Sequence, residues 1–414
     1  MKTMWRRACG LAVAPLVMAS AVACGGGSDQ ASEGTTLRVI VNITPNLTEK
    51  YWNDLFANYE KAHPGVHVKL ELTGTISADA KLRQDLAAGD PPDVSLQIVP
   101  TADTASLFTD LSDQPWLAKT PLADQYTIDG KHYVVGVGEQ IQSLVFYSKA
   151  AFEKAGLDAS KIRTMDQFTA AMGDLKDAGY KPLQSAGQWV TGSQFSMMAD
   201  AGVLTADPEW TAKRNKGEGS FAKSGYLPYL QHYKNWIDKG YLEKSALGLT
   251  YADGQTAFLN GKSAMYIMGS FFVPAADAAK KSDDLGVFTM PTDGAHPSGQ
   301  FGNMSNPYVV VNKSHHKAEA IKFVKWATTD PEAIKSQLAS DGNLREGFTY
   351  PMSSLGTSVQ QILDKAPSVL VQSGDSKPIA GFSDELNKQI QSLYTGSSPA
   401  DAADGLDKWW NSQS

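Results

Sequence analysis

With 414 residues, 42% of them hydrophobic and 9% aromatic, the chain can build about two ordinary domains with real cores, which excludes disorder on a large scale. A net charge of −7, with lysine and arginine scattered along the chain, leaves no electrostatic footprint for nucleic acid and suits a neutral or cationic small ligand better than a polyanion. Only Cys9 and Cys24 are present, both near the N-terminus, so the folded part must be held by its cores without disulfide staples.

Lys2, Arg6 and Arg7 form a positive segment ahead of an apolar run, Ala8–Val22, that Pro15 interrupts and that is too short to span a bilayer. Residues 1–23 therefore read as an export signal, whose removal takes away three positive charges. Ala21-Val22-Ala23-Cys24 is followed by Gly25-Gly26-Gly27-Ser28-Asp29, and 24–35 reads as a flexible tether. Small residues before a cysteine and a soft linker after it resemble a bacterial lipoprotein signal. That resemblance implies lipidation of Cys24 and anchoring to the outer face of the cytoplasmic membrane. It departs from the usual pattern at Ala21, where leucine is common, and the alternative is ordinary signal-peptidase cleavage with Cys24 left free.

The elements then alternate. Leu37–Ile43 is β-branched and apolar and predicts a strand, with Asn42 at its exit. Tyr51, Leu55, Phe56 and Tyr59 recur at helical spacing over 49–62, and His63-Pro64-Gly65 stops that helix. Val66–Leu72 alternates with period two, Ala78–Ala88 is a helix, and Asp93–Val99 is a third strand carrying Gln97. This βαβαβ order implies a mostly parallel sheet whose strand exits, Asn42 and Gln97 among them, meet on one edge. Tyr133–Val137 and Ser143–Tyr147 are further strands, with Glu139 and Gln140 between them. Helices follow over 149–155 and 165–178, the latter capped by Thr164.

Residues 186–245 read as mostly helical and irregular. Within them Trp189 is either a flat platform on a loop or a plug of the core. Gly254–Phe272, GQTAFLNGKSAMYIMGSFF, predicts a short helix ended by Asn260-Gly261 and a buried strand, Ala264–Met268. Ligands in open α/β sheets bind beyond strand C-termini, so Phe271 or Phe272 is a candidate cleft wall, the other reading being that both pack in a core. Next come a strand at 287–291, a loop over 291–299, Gly302-Asn303 ahead of the strand Tyr308–Asn312, and helices at 317–328 and from Asp330-Pro331. Two more helices lie over 384–411, split by Thr395–Pro399.

Several strings imitate catalytic motifs without meeting their spacing. Gly254 and Gly261-Lys262-Ser263 are too far apart for a phosphate-binding loop. Ser314-His315-His316-Lys317 fits S-x-x-K but lies in a polar turn with no companion motif. No set of Cys, His or Glu stands at metal-ligand spacing, so neither metal nor cofactor is expected, and no enzymatic reaction is assigned.

GQTAFLNGKSAMYIMGSFF, together with GKHYVVGVGEQIQSLVFYSKAAFEKAGL (130–157), TMDQFTAAMGDLKDAGYKPL (164–183) and YVVVNKSHHKAEAIKFVKWATTDPEA (308–333), resembles the extracellular sugar-binding proteins of bacterial ABC importers, the group that includes maltose-binding protein. The resemblance covers about 36–411. It implies an α/β, two-lobed periplasmic-binding-protein-like fold in which each lobe is a mostly parallel sheet flanked by helices, with several hinge crossings. The lobes would be 36–140 plus 304–344 and 141–303 plus 345–414, with a first crossing near Val137–Gln142, a second in the 308–333 stretch and a third at Asn343–Glu346. A proline usual in the first crossing is replaced here by Val134-Val135-Gly136. The function implied is capture of a mono- or oligosaccharide and its delivery to membrane permease subunits by a monomer tethered through its N-terminal lipid. Asn42, Gln97, Glu139, Gln140, Gly302, Asn303 and Arg345 would supply polar contacts, and Trp189 and Phe271 the aromatic plane that a sugar's C–H face requires. The alternatives are a secreted carbohydrate-active hydrolase, or the same fold with an amino acid, peptide, polyamine or metal as ligand.

Overall fold

The computed structural model describes residues 34–74, 76–293, 300–365, 369–370 and 372–413; the export signal, most of the tether with Cys24, and 294–299 of the predicted loop lie outside the described residues. Thirteen strands occur among these: β1 (Thr35–Val41), β2 (Val66–Leu72), β3 (Val94–Leu96), β4 (Thr127–Ile128), β5 (Lys131–His132), β6 (Gly138–Ile141), β7 (Leu144–Ser148), β8 (Lys181–Gln184), β9 (Ser263–Met268), β10 (Leu285–Thr289), β11 (Gln300–Ser305), β12 (Tyr308–Val310) and β13 (Val369–Leu370).

The first sheet runs β12-β3-β1-β2. β1 pairs in parallel with both β2 and β3, as the βαβαβ order requires, and β12 returns antiparallel on the far edge. The connecting helix Glu49–Ala62 starts where Thr48 Oγ1 accepts from the Tyr51 amide at 3.2 Å, and buries Trp52, Leu55, Phe56 and Tyr59 against the sheet. The second helix, Ala78–Ala88, ends on Gly89 at φ 75°, a conformation glycine adopts without penalty. β3 is shorter than the predicted 93–99 because Gln97 takes φ 63° and breaks the ladder directly after Leu96.

The second sheet runs β10-β7-β9-β8. Here the parallel rule holds only for β8 and β9. β7 is antiparallel to both β9 and β10, because it enters directly from a crossing strand instead of through a helical crossover. Both the helix and the strand predicted within Gly254–Phe272 are present, with the helix beginning earlier, at Tyr251, where Thr250 and Asp253 form a capping box. Trp189 lies in the turn Gly187–Trp189 after β8, as predicted, and directly ahead of a 17-residue helix, Val190–Ala206, with thirteen buried positions.

Each sheet has its own core. One cluster gathers Leu37, Trp52, Tyr59, Tyr308, Phe323 and Leu338; another gathers Val145, Phe168, Phe195, Trp236, Met265 and Trp410. Two sheets with separate cores make a two-lobed α/β fold. Between them the chain passes in adjacent strands: β6 pairs antiparallel with β11, and Glu139 exchanges backbone hydrogen bonds with Leu344 at 2.7 and 3.0 Å. The packing there is tight enough that a Cβ on Gly138 would come within 2.4 Å of Leu338 Cδ2 and 2.5 Å of the Leu344 carbonyl oxygen.

Candidate functional site

A cavity of about 640 Å³ opens between the two sheets. One wall comes from the first lobe: Ser77, Asp79 and Arg83 at the start of the helix Ala78–Ala88, the run Gln97–Val99, and Thr101, Thr104 and Tyr126. The floor is built by the crossing strands through Gln140, Gln142, Asn303 and Met304. The opposite wall is the helix Val190–Ala206, where Ser193, Ser196, Met197 and Asp200 follow at intervals of three and four and so share one face. Lys377 and the run Pro378–Ser383 close the remaining side. A smaller chamber of about 250 Å³ continues past Asp200 toward Trp189 and shares seven residues with the larger one, Ser193, Ser196, Asp200 and Phe382 among them.

Hydroxyls, amides and aromatic faces dominate this lining, a surface suited to a neutral polyhydroxy ligand. Asp79 accepts from Arg83 Nε at 2.7 Å, so that carboxylate carries its own counter-ion. Asp200 differs. It is buried and faces both chambers, and the hydroxyl of Tyr226 donates to it at 2.6 Å. Burial pushes its pKa up to about 7.

The sequence-predicted residues separate into three groups. Gln97, Gln140 and Asn303 line the main cavity. Trp189 lines the smaller chamber; it is 41% exposed, with its ring 4.8 Å from Tyr251 and 6.4 Å from Phe271. Of the two phenylalanines, Phe272 is fully buried against Phe146 and Phe258, while Phe271 stays partly exposed beside Trp189. Asn42, Glu139, Phe271, Gly302 and Arg345 line neither chamber. Asn42 Oδ1 accepts from Thr73 Oγ1 at 3.1 Å, Gly302 pairs with Ile141 in the crossing ladder, and burial together with Glu346 raises the Glu139 pKa. Arg345 holds the lobe junction. Its guanidinium donates to the carbonyls of Val137 at 2.9 Å, Thr328 at 3.0 Å and Lys119, and lies 4.8 Å from the ring of Phe348.

A hydrogen-bond hub that sequence reasoning missed sits beneath the floor. Asp341, buried at the end of the helix Pro331–Asp341, accepts from Asn46 Nδ2 at 3.0 Å, Gln140 Nε2 at 3.2 Å and Asn343 Nδ2 at 3.2 Å. Asn46 also donates to the Phe271 carbonyl at 2.8 Å, so one amide joins the hub to the second lobe. No cation bonds to the carboxylate among the described residues, and burial raises its pKa to about 6.

These two raised carboxylates set a pH dependence. The folded protein keeps protons on Asp200 and Asp341 that the unfolded chain gives up near pH 4, so their contribution to stability is complete below pH 4 and is lost as pH rises through 6 and 7. A tenfold difference in proton affinity between the folded and unfolded forms corresponds to about 1.4 kcal/mol. In the absence of ligand, Tm is expected to fall by about 5 °C between pH 5 and pH 8 in scanning fluorimetry. Asp200→Asn should flatten the larger part of that slope, and a wild-type Tm that is level or rising over this window would refute the assignment.

Among the described residues no group of three or more His, Cys, Asp or Glu side chains could hold a metal ion, and no helix is long and apolar enough to cross a membrane.

Residues 44–334 match the family described as bacterial extracellular solute-binding protein. The chain is 24% identical over 319 residues to the multiple sugar-binding protein of Streptococcus mutans, covering 73% of this chain and 74% of that protein. Among solved structures it resembles a chitin oligosaccharide binding protein, with TM-score 0.79, 23% identity and coverage of 92% of this chain and 99% of the other. It also resembles a sugar transporter protein of Bacillus licheniformis in complex with stachyose, with TM-score 0.73, 19% identity and coverage of 92% and 100%. At these identities the structural likeness bears on the fold, which is that of two-lobed solute-binding proteins.

Proposed function

This chain belongs to the bacterial extracellular solute-binding protein family, and we propose that it captures an oligosaccharide between its lobes and presents the closed form to the permease of an ABC importer. The observation that carries this reading is the cavity of about 640 Å³ between two separately cored lobes, lined by hydroxyls and amides and continued by a chamber that reaches Trp189. Gln97, Gln140, Asn303, Ser193 and Asp200 take the sugar hydroxyls, and Trp189, supported by Phe271, takes a ring face. The multiple sugar-binding relative and the stachyose-bound neighbour agree with a carbohydrate as ligand.

Within this reading the lobes are 36–140 plus 304–344 and 141–303 plus 345–414. Glu139, Gly302 and Arg345 act through the lobe junction, and Cys24 carries the lipid that holds a monomer at the outer face of the cytoplasmic membrane. The ligand favours the closed form only by the difference in its affinity for the two forms. A hydrolase in the same cleft would need two carboxylates flanking one bond, and of the two on the wall Asp79 is already paired with Arg83.

The test is a thermal-shift panel of mono- and oligosaccharides. At a hundredfold excess over Kd, a binding sugar adds about 2.7 kcal/mol of stability, and the expected result is a rise in Tm of several degrees for one glycan class. A melting curve that no sugar moves would refute the proposal.

A further inference from the structure

Beside the main cavity lies a separate one of about 530 Å³, walled by Asp103 of the first lobe, by Asn215 and Lys216 of the second, and by Gln413 near the C-terminus. The two cavities share four residues: Thr101, Lys377, Ile379 and Ala380. Among these Lys377 alone has a long side chain that reaches the opposite lobe, where its ammonium donates to the Val99 carbonyl of the first lobe. Its own backbone is fixed to the second lobe, where its carbonyl accepts from Asn215 Nδ2 at 2.9 Å. Nearby, Ser373 Oγ donates to the Gln125 carbonyl, so this segment meets the first lobe twice.

The electrostatics match that placement. Asp79, on the wall of the main cavity, and Asp103, on the wall of the outer one, both favour the charged ammonium. Burial opposes them and lowers its pKa to about 8. A four-carbon stem with a cation at its tip, drawn from either side by a carboxylate, forms a bar that a ligand growing out of the main cavity must meet.

We propose that Lys377 is a specificity-determining partition that limits the length of the glycan the cleft admits, so that the ligand is an oligosaccharide of bounded length. This rests on the carbohydrate reading above and adds to it a named residue and a length limit. Removing the side chain would join the two cavities, whereas replacing it with another long cationic side chain would leave them apart.

The test incubates the protein with oligosaccharide ladders (raffinose, stachyose and verbascose; maltotriose to maltoheptaose; the corresponding cello-, xylo- and chito-series) and reads the lengths retained by native mass spectrometry. In the wild type, retention is expected to drop at least tenfold between two successive lengths of the ladder that binds. Lys377→Ala should move that step up by one unit or more, and Lys377→Arg, which keeps a donating cation on a long stem, should leave it in place. A wild type that retains all lengths equally overturns the proposal whatever the alanine variant does, and so does a step that Lys377→Ala fails to move. If no glycan is retained by any of the proteins, the carbohydrate reading itself fails; glycans retained with an unmoved step defeat the partition alone.

Discussion

Asp407→Ala is expected to lower the unfolding free energy by about 3–5 kcal/mol, the usual cost of removing one partner from a buried ion pair. Asp407 lies on the last helix, Pro399–Asn411, and four groups converge on its carboxylate: Ser220 Oγ at 2.7 Å, the amides of Phe221 and Ala222 at 2.9 and 3.2 Å, and Arg214 Nη2 at 3.3 Å. Arg214 is only 2% exposed, and its guanidinium sits 5.3 Å from the ring of Trp410 and 5.9 Å from that of Phe221. Without the carboxylate, a cation that burial already disfavours remains in place, still donating to the Asn411 side chain and to the main-chain carbonyl of residue 407. Asp407→Asn keeps the shape and one acceptor and should lose less. Guanidinium denaturation measures both variants, and a loss under about 1 kcal/mol for the alanine variant would show that the pair carries little of the stability. The site feels this pair too, because Trp410, whose ring lies beside the Arg214 guanidinium, lines the smaller chamber.

What is legible in the sequence follows from which elements have one wet face. The helix Glu49–Ala62 and the strand Val66–Leu72 are half exposed, so periods of 3.6 and 2 stand out, and the first sheet can be ordered from them. The helix Val190–Ala206 is buried nearly all round, so its apolar and small residues carry no period. Ser193, Ser196 and Asp200 go unseen with it, although their spacing of three and four is a signal once the helix is known. Arg345 reads as a ligand-binding cation because sequence cannot say whose carbonyls a guanidinium will meet; here it meets the carbonyls of Lys119, Val137 and Thr328. Lys377 escapes notice for the same reason, lying outside any regular element. By contrast strand-exit topology brings Gln97 to the cavity wall but not Asn42, while Gln140 and Asn303, named through the family resemblance, also line the cavity.

Trp189→Ala is expected to weaken binding of the sugar with the largest thermal shift by about 10–100-fold while leaving Tm without ligand almost unchanged. Trp189 is one of three large apolar side chains left exposed among the described residues, with Ile43 and Leu72, and it immediately precedes the helix that lines the cavity. Tyr251 and Phe271 hold its ring from behind, at 4.8 and 6.4 Å, so little rotamer freedom is left to lose when a sugar stacks on it. Covering on the order of 100 Å² of indole at about 25 cal/mol per Å² gives about 2.5 kcal/mol. Each tenfold in Kd corresponds to about 1.4 kcal/mol, so this energy falls within the stated range after some loss to ordering of the ligand. The same truncation at Phe272, a few residues from the same rim but fully buried, should instead cost about 3–5 kcal/mol of stability through the cavity it leaves. The pair separates a binding surface from a core plug by calorimetry and melting alone. A Trp189→Ala protein that melts much earlier yet binds its sugar as the wild type does would make the indole part of the core and move the sugar-stacking surface elsewhere.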